Sequence, residues 1–300
     1  MKQLLALGLM GVVFQLGCES SSVDGGAPDG GADGAASGGN VNGGTGGSGL
    51  GGNGSGETPN ADDYQLLFRD DFDTLDTSRW QLMTHSWGTN LALFSADSVK
   101  VEGGELRATL LPAPEGTVDD TGAPKQFLGA EVRSTQTLTY GKVRARAKLA
   151  KGSAVVSSLV TIYTPWPADD WNELDIECLG NEPSNIQFNA MVYTGPELTP
   201  PVTESVTPTM DPEKIDVGFD PSEDYHVYTI EWTPSAAFFS VDDQVVRTWT
   251  QHIDKMDLAQ NVLLTIWATS ETAWGGAVDE TTAGAFVAYD WVELYEFQGE

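Results

Sequence analysis

Cysteine and basic residues are scarce in this sequence. Its 300 residues include 2 cysteines, and 15 lysines and arginines stand against 44 aspartates and glutamates, for a formal net charge of −29. Because Cys18 lies close to the N-terminus, Cys178 has no partner for an internal disulfide, and no cysteine cluster could bind a metal. So acidic a chain excludes nucleic acid as a partner and disfavours polyanionic substrates, since both are bound through clustered positive charge.

Long helical segments are also missing. No stretch has the 3.6-residue apolar period of a helix over many turns, and no segment repeats at a fixed spacing. Between residues 64 and 297, short runs rich in valine, threonine, isoleucine and aromatic residues alternate with turn residues, which predicts an all-β sandwich. Either residues 212–215 or residues 253–258 are predicted to form a helical turn. Residues 112–126 and 196–212 form two long loops without an assigned role.

Glycine is unevenly distributed and divides the chain into two parts. Nineteen of the 34 glycines lie in residues 1–61, whereas all nine tryptophans lie in residues 62–300. Residues 19–61 contain no lysine or arginine and few apolar side chains, so we expect a flexible tether there. Residues 62–300 are long enough to form a single all-β domain, which we expect to be monomeric.

The first 18 residues have the features of an export signal. Lys2 supplies a positive charge, and residues 4–16 form a mostly apolar run that is too short to span a bilayer. The cysteine at position 18, directly after Leu16-Gly17, resembles the lipidated cysteine of a bacterial lipoprotein signal. We therefore predict export and attachment of Cys18 to the cell envelope through a lipid. Secretion after cleavage of an ordinary signal peptide is the alternative.

Residues 171–180 concentrate acidic side chains in a pattern that suits catalysis. If this segment is a strand, Glu173, Asp175 and Glu177 share one face, because successive side chains alternate. Crowded carboxylates cannot all ionise at neutral pH, so at least one pKa is expected to rise. A glycosidase needs such a set, with one carboxylate as nucleophile and one carboxylic acid as proton donor. The residue types also leave open an exposed acidic face and a calcium site.

The string W-N-E-L-D-I-E-C-L-G at residues 171–180 resembles the active-site strand of family 16 glycoside hydrolases. It is most similar to the branch with an unbroken E-x-D-x-E, which includes bacterial lichenases, plant xyloglucan endotransglycosylases and fungal wall transglycosylases. The resemblance extends over residues 64–297. It includes five further segments, at residues 130–134, 186–189, 217–220, 225–228 and 289–292.

This resemblance implies a fold and an order of roles. The fold is a concanavalin-like jelly roll, an all-β sandwich of two curved antiparallel sheets with an open cleft. Glu173 is then the nucleophile of a retaining mechanism, Glu177 is the general acid and afterwards the general base, and Asp175 assists between them. The residues alone predict the trio without ordering the two glutamates. No cofactor is expected in catalysis.

The resemblance also implies residues for substrate and for calcium. Eight side chains are expected to contact the sugar: Trp171, Asn189, Glu131, Arg133, Trp267, Trp274, Asn90 and Tyr193. One structural Ca²⁺ is expected on the opposite side of the sandwich, held by Asp290, Gly104 and Asp71. The sequence departs from the family at Asn172, where an aspartate is usual before the nucleophile, and at Cys178, which replaces a phenylalanine on the core face.

The predicted function is endo-hydrolysis of a polysaccharide, a β-glucan and above all β-1,3/1,4-glucan, by double displacement. A polysaccharide transglycosylase with the same site is one alternative, because loops rather than the acidic trio choose the acceptor. A non-catalytic glycan-binding protein is another, although such a protein would be expected to have lost one of the paired glutamates. The acidic charge of the domain at residues 62–300 is compatible with a neutral glucan as substrate.

Overall fold

The computed structural model describes residues 58–164, 170–199 and 206–299. The predicted signal peptide, Cys18 and most of the predicted tether lie outside the described residues, as does part of the 196–212 loop. The helical elements are short: 3₁₀ turns at Ala61–Asp63, Ala96–Ser98 and Ile253–Lys255, and the helix α1 at Thr272–Gly275. In the described part of the chain, no helix is long and apolar enough to cross a membrane.

Among the described residues, eight strands form the first sheet. They are β1 (Tyr64–Asp70), β4 (Val99–Glu102), β5 (Glu105–Thr109), β8 (Gly141–Lys148), β14 (His226–Trp232), β15 (Ala237–Val241), β16 (Gln244–Trp249) and β18 (Phe286–Phe297). Their order is β16-β15-β14-β8-β18-β5-β4, and β1 also pairs with β18. Every pairing in this sheet is antiparallel.

Ten strands form the second sheet, again among the described residues. They are β2 (Trp80–Leu82), β3 (Ala92–Phe94), β6 (Leu111–Pro112), β7 (Phe127–Leu138), β9 (Val155–Tyr163), β10 (Asn172–Leu179), β11 (Asn185–Val192), β12 (Thr209–Met210), β13 (Glu213–Asp216) and β17 (Gln260–Ala268). The main order is β12-β11-β10-β9-β17-β7-β2. Strand β10, which contains the acidic trio, therefore lies inside this sheet between β9 and β11.

One hydrophobic core joins the two sheets. Leu174 and Ile176 of β10 belong to the same buried cluster as Val143 of β8 and Phe239 of β15, and each is at most 1% exposed. Burial of such a side chain stabilises the fold by about 1.5–3 kcal/mol relative to exposure. The two-sheet arrangement confirms the predicted all-β sandwich.

Of the two segments considered for a helical turn, one forms a 3₁₀ turn and the other is a strand. Strands β14, β15 and β16 form a meander, and Asp242 and Asp243 between the last two have φ values of 48° and 62°, as a tight hairpin turn requires. Residues 212–215 do not form a helical turn, because residues 213–216 pair with β11 as strand β13. The other predicted turn is confirmed at its start, where Ile253–Lys255 is a 3₁₀ turn.

Candidate active site

Strand β10 separates the core from an acidic face. Leu174 and Ile176 point into the core, so alternation directs Glu173, Asp175 and Glu177 to the opposite face of the ten-stranded sheet. Asp175 is 2% exposed, whereas the two glutamates on either side of it are only partly buried. The structure thus brings the predicted trio together, with its two outer members open to a substrate.

Glu173 and Asp175 each accept a hydrogen bond from a predicted substrate-binding residue. Trp171 Nε1 lies 2.7 Å from Glu173 Oε2, and Asn189 Nδ2 lies 3.1 Å from Asp175 Oδ2. Asn189 reaches Asp175 because the two residues are opposite each other on β11 and β10. Asp175 Oδ1 is buried and accepts no hydrogen bond from the described residues, an arrangement that favours a protonated carboxyl.

Glu177 is connected to an aromatic side chain through an amide. Gln187 Nε2 donates to Glu177 Oε2 at 2.8 Å, and Gln187 Oε1 accepts from Trp274 Nε1 at 3.0 Å. The register places Gln187 opposite Glu177 on the neighbouring strand, and its side chain is buried. Both amide atoms are therefore fixed, and the Glu177 carboxyl is oriented by a rigid partner.

Burial raises the pKa of all three acids above the ordinary carboxyl range. The neighbouring charges of Glu177 and Glu131 raise the pKa of Glu173 further, while the Trp171 hydrogen bond opposes the shift. Burial and the two glutamates raise the pKa of Asp175 well above its usual value. For Glu177, burial is opposed by the hydrogen bond from Gln187. The trio can therefore hold and transfer protons near neutral pH as a coupled set.

A group of aromatic rings lies beyond the Glu177 end of the trio. This aromatic cluster consists of Trp87, Phe94, Trp267 and Trp274. The ring centroids of Trp87 and Trp267 are 5.0 Å apart in an edge-to-face contact, and those of Trp267 and Trp274 are 5.8 Å apart. Trp87 is partly exposed, whereas the rings of Trp267 and Trp274 are mostly buried. The cluster offers apolar surface for a sugar ring on the same face as the acids.

Glu131 lies on the row of residues that crosses the sheet from Glu177. The row runs through Ser158 of β9 and Thr265 of β17, whose hydroxyl oxygens are 2.5 Å apart, to Glu131 on β7. Arg133 donates to Glu131 Oε1 from Nη2 at 2.5 Å and from Nε at 2.8 Å. The predicted Glu131–Arg133 pair therefore lies on the same face as the trio. The short side chains of Ser158 and Thr265 separate Glu131 from Glu177.

Asn90 and Tyr193 lie close to other site residues. The backbone of Asn90 bridges to Thr269, two residues after Trp267, and its Oδ1 accepts from the Ala92 amide at 2.8 Å. The Tyr193 amide donates to the Trp171 carbonyl at 3.0 Å, and the Tyr193 hydroxyl donates to the Pro196 carbonyl at 3.3 Å. Contact of these two residues with sugar stays a prediction.

The two departures in β10 point away from the acidic face. The Asn172 side chain donates to the Lys255 carbonyl at 2.7 Å and accepts from the Leu258 amide at 2.8 Å. It therefore anchors the 253–258 segment instead of altering the surroundings of Glu173. Cys178 is fully buried in the core, where burial raises the pKa of its thiol to about 12. Its effect is on packing, as expected.

The three predicted calcium ligands lie around one stretch of β18, with both carboxylates already paired. Asp290 accepts from Arg146 at 2.6 Å, and Asp71 accepts from Arg69 at 2.7 Å. Gly104, at φ 79°, forms the turn between β4 and β5. The described residues contain no group of three or more histidines, cysteines, aspartates or glutamates that could hold a metal. A Ca²⁺ ion, which takes six to eight oxygens, would have to displace Arg146 and use main-chain carbonyls.

The structure adds residues that the sequence pattern did not single out as site residues. Gln187 shares a face with Asn189 by strand alternation, so its position could be inferred, but its bonds to Glu177 and Trp274 could not. Trp87 lies in the loop between β2 and β3, where no periodicity applies. His85, from the same loop, has Nε2 3.4 Å from Glu131 Oε2, and burial lowers its pKa.

Comparisons with known proteins point to one family. The family model for glycosyl hydrolases family 16 matches residues 88–293. A beta-glucanase of Fibrobacter succinogenes is 32% identical over 59% of this chain, which spans 50% of that relative's length. A beta-glucanase of Bacillus subtilis is 30% identical, over 75% of this chain and 84% of that protein. The crystal structure of a prokaryotic beta-1,3-1,4-glucanase (lichenase) from a mouse hindgut metagenome has 27% identity, covers 76% of this chain and 97% of its own, and aligns with a TM-score of 0.64. This likeness confirms the predicted jelly-roll class.

Proposed function

The chain belongs to glycosyl hydrolase family 16, and we propose that it is a retaining endo-β-glucanase acting on β-1,3/1,4-glucan. The main support for this proposal is the column formed by Glu173, Asp175 and Glu177. Burial raises the pKa of each of these acids, and the aromatic cluster on the same face offers apolar surface for a sugar. Relatives named as beta-glucanases support the substrate class. The unbroken E-x-D-x-E spacing, which resembles that of bacterial lichenases, supports mixed-linkage β-1,3/1,4-glucan as the substrate.

In the first step, the Glu173 carboxylate attacks the anomeric carbon of the bound glucan. The bond from that carbon to the glycosidic oxygen breaks, and the Glu177 carboxyl gives its proton to the departing oxygen. The products are a sugar covalently bound to Glu173 and a shortened chain with a new hydroxyl. The Trp171 hydrogen bond favours the ionised form of Glu173, which the attack requires.

In the second step, Glu177 acts as a base. Its carboxylate takes a proton from water while the water oxygen attacks the anomeric carbon, and the bond to Glu173 breaks. Two inversions give net retention. The Gln187 amide, which donates to Glu177 Oε2, stabilises the carboxylate that exists between the two steps.

Asp175 is proposed to hold a proton between the glutamates. Its carboxyl is buried, both neighbouring charges raise its pKa, and Oδ1 has no donor among the described residues. A protonated Asp175 can donate a hydrogen bond to Glu173, which lowers the energy of the nucleophile's anion without placing three charges in one column.

The test of the function is a substrate panel. The purified protein is incubated with barley β-glucan, laminarin, xyloglucan, agarose and chitin, and the products are separated by chromatography. We expect short oligosaccharides from barley β-glucan, and none from the same protein with Glu173→Gln. Redistributed, longer products with an added acceptor would indicate a transglycosylase. Binding of a glycan without turnover of any of the five polysaccharides would contradict the proposed enzymatic activity.

We also propose that Cys18 carries the lipid that attaches the protein to the bacterial cell envelope, and that the protein is a monomer. The run of apolar residues before Cys18 and the glycine-rich segment after it support the anchor. In the native host, the protein should fractionate with membranes, and Cys18→Ala should release it. Equal membrane recovery of both forms would contradict lipidation, and a dimer mass in solution would contradict the monomer.

A further inference from the structure

The loop at residues 112–126 contains a buried ion pair. The Lys125 side chain is 3% exposed, and its Nζ lies 3.0 Å from Asp119 Oδ2, whose side chain is 6% exposed. Lysine is rarely buried so fully, because burial removes the hydration of its ammonium, and this loss is offset only when every ammonium proton has an acceptor. A position this costly needs a structural or functional reason.

All three ammonium protons of Lys125 have acceptors. Besides Asp119, Nζ donates to the Trp87 carbonyl at 2.9 Å and to the Asn90 carbonyl at 2.8 Å. Asp119 is itself fixed, because its Oδ1 accepts from the Thr121 amide and hydroxyl and from the Ala123 amide. These bonds and Lys125 outweigh burial and lower the pKa of Asp119 to about 2. Asp119 is therefore ionised at neutral pH, and its carboxylate is held in one orientation against the Lys125 ammonium.

The two carbonyls that Lys125 binds are the ends of one tight turn. The Asn90 amide also donates to the Trp87 carbonyl at 3.1 Å, so the ammonium and the turn share an acceptor. Trp87 lies on one side of this turn, with its ring against Trp267. On the other side, the Asn90 backbone bridges to Thr269, just after Trp267. The direction of the Trp87 ring thus depends on the conformation that Lys125 fixes.

We propose that Lys125 is a positioning residue for glucan binding, which holds the turn at residues 87–90 so that Trp87 stands beside Trp267 next to the acidic trio. This inference rests on the proposed function for its substrate. Lys125 contacts no reacting group, so it acts on the affinity for the chain and not on the bond-breaking steps.

The test uses two variants and compares KM with kcat on barley β-glucan. Lys125→Met keeps the aliphatic stem and removes the ammonium. Because it leaves Asp119 buried without a counter-charge, the double variant Lys125→Met with Asp119→Asn is made as well, in which the amide oxygen can still accept from Thr121 and Ala123. We expect KM to rise about five- to tenfold in both variants, which corresponds to the loss of one aromatic contact with the sugar. We expect kcat to stay within about twofold of the wild-type value.

Two further measurements separate positioning from general destabilisation. In a Trp87→Ala background, the lysine substitution should have no further effect on KM, because the ring that it positions is gone. Without any substrate, the exciton circular-dichroism band of the neighbouring Trp87 and Trp267 indoles should weaken in the double variant. Lys151→Met, which breaks the exposed pair with Asp220, is the matched control and should change neither quantity.

The outcomes also separate this inference from the proposed function. If the wild-type protein cleaves no β-glucan, the function fails, while the substrate-free band still reports on the turn. Folded variants with a wild-type band and wild-type KM would overturn the inference. So would a fall in kcat with KM unchanged, or an additive KM effect in the Trp87→Ala background.

Discussion

The two faces of strand β10 use the same backbone for opposite purposes. On the inner face, Leu174 and Ile176 are fully buried among apolar residues of both sheets, and their burial stabilises the sandwich. On the outer face, Glu173, Asp175 and Glu177 stand in a column where burial raises all three pKa values and neighbouring charges raise those of Glu173 and Asp175 further. The core thus holds in place a column of acids whose burial destabilises the fold, and that column is the candidate site.

The largest effect is expected from Glu173→Gln. Removal of the nucleophile should lower kcat on β-glucan by more than about a thousandfold, since loss of a catalytic nucleophile can cost on the order of 10⁶ in kcat. Because an uncharged amide relieves the repulsion in the column, the midpoint of thermal unfolding at neutral pH should not fall. Turnover close to that of the wild type would contradict the role of Glu173, and a large loss of stability would contradict the contrast between the faces.

Ile176→Ala should give the opposite result. A large-to-small change at this core position is expected to lower the free energy of unfolding by about 2–5 kcal/mol. The folded fraction should keep a kcat close to that of the wild type, because the side chain points away from the acids. Denaturant unfolding and activity at a temperature below the transition test both parts. Loss of kcat in fully folded protein would mean that the two faces are not separable.

The pH dependence of stability should include a contribution from the outer face. Burial raises the pKa of Glu177 to about 7, so the folded state binds this proton more tightly than the unfolded state. Stability from this group is present below the unfolded-state pKa, which is about 4.3, and decreases as the pH rises towards 7. Denaturant unfolding between pH 4 and pH 8 should therefore show a decline that is smaller in Glu177→Gln. An identical decline in both proteins would place its cause elsewhere.

A smaller change is expected when Gln187 is replaced by leucine. The Gln187 amide favours the ionised Glu177, so its removal should raise the pKa of the acid and move the alkaline limb of kcat to higher pH. The base step should slow at the same time, since the carboxylate loses its donor. A pH–rate profile with Trp274→Phe as the control separates the two bonds of Gln187. An alkaline limb that moves to lower pH would contradict this orientation of the amide.

The sequence predicted the outer face of β10 better than its surroundings. Strand alternation depends on neighbours in the chain, so the shared face of the trio followed from spacing alone. The bonds from Gln187 to Trp274, and from Lys125 to Trp87 and Asn90, join residues 35 to 87 positions apart. Such contacts depend on how the loops meet, and a single sequence holds no periodic signal for them. The strand at β13 was missed for the same reason, since its pairing with β11 is set by a distant segment.

The smallest effect concerns calcium on the first sheet. If Ca²⁺ binds at Asp290, millimolar Ca²⁺ should raise the midpoint of thermal unfolding by about 2–4 °C over a chelated sample, a gain of roughly 1 kcal/mol for a domain of this size. The gain is limited because Arg146 must first be displaced. Asp290→Asn should abolish the difference. Equal midpoints with Ca²⁺ and with chelator in the wild-type protein would contradict the site.

The most direct test of the account assigns the two glutamates by chemical rescue with azide. When Glu173 is replaced by alanine, azide should enter the vacated face of an activated β-glucoside and give the α-glycosyl azide. When Glu177 is replaced by alanine, the intermediate on Glu173 still forms, and azide should then give the β-glycosyl azide. These two anomers, identified by NMR, are the predicted result. The reverse assignment of anomers, or a β-azide from both variants, would contradict Glu173 as the nucleophile and Glu177 as the acid.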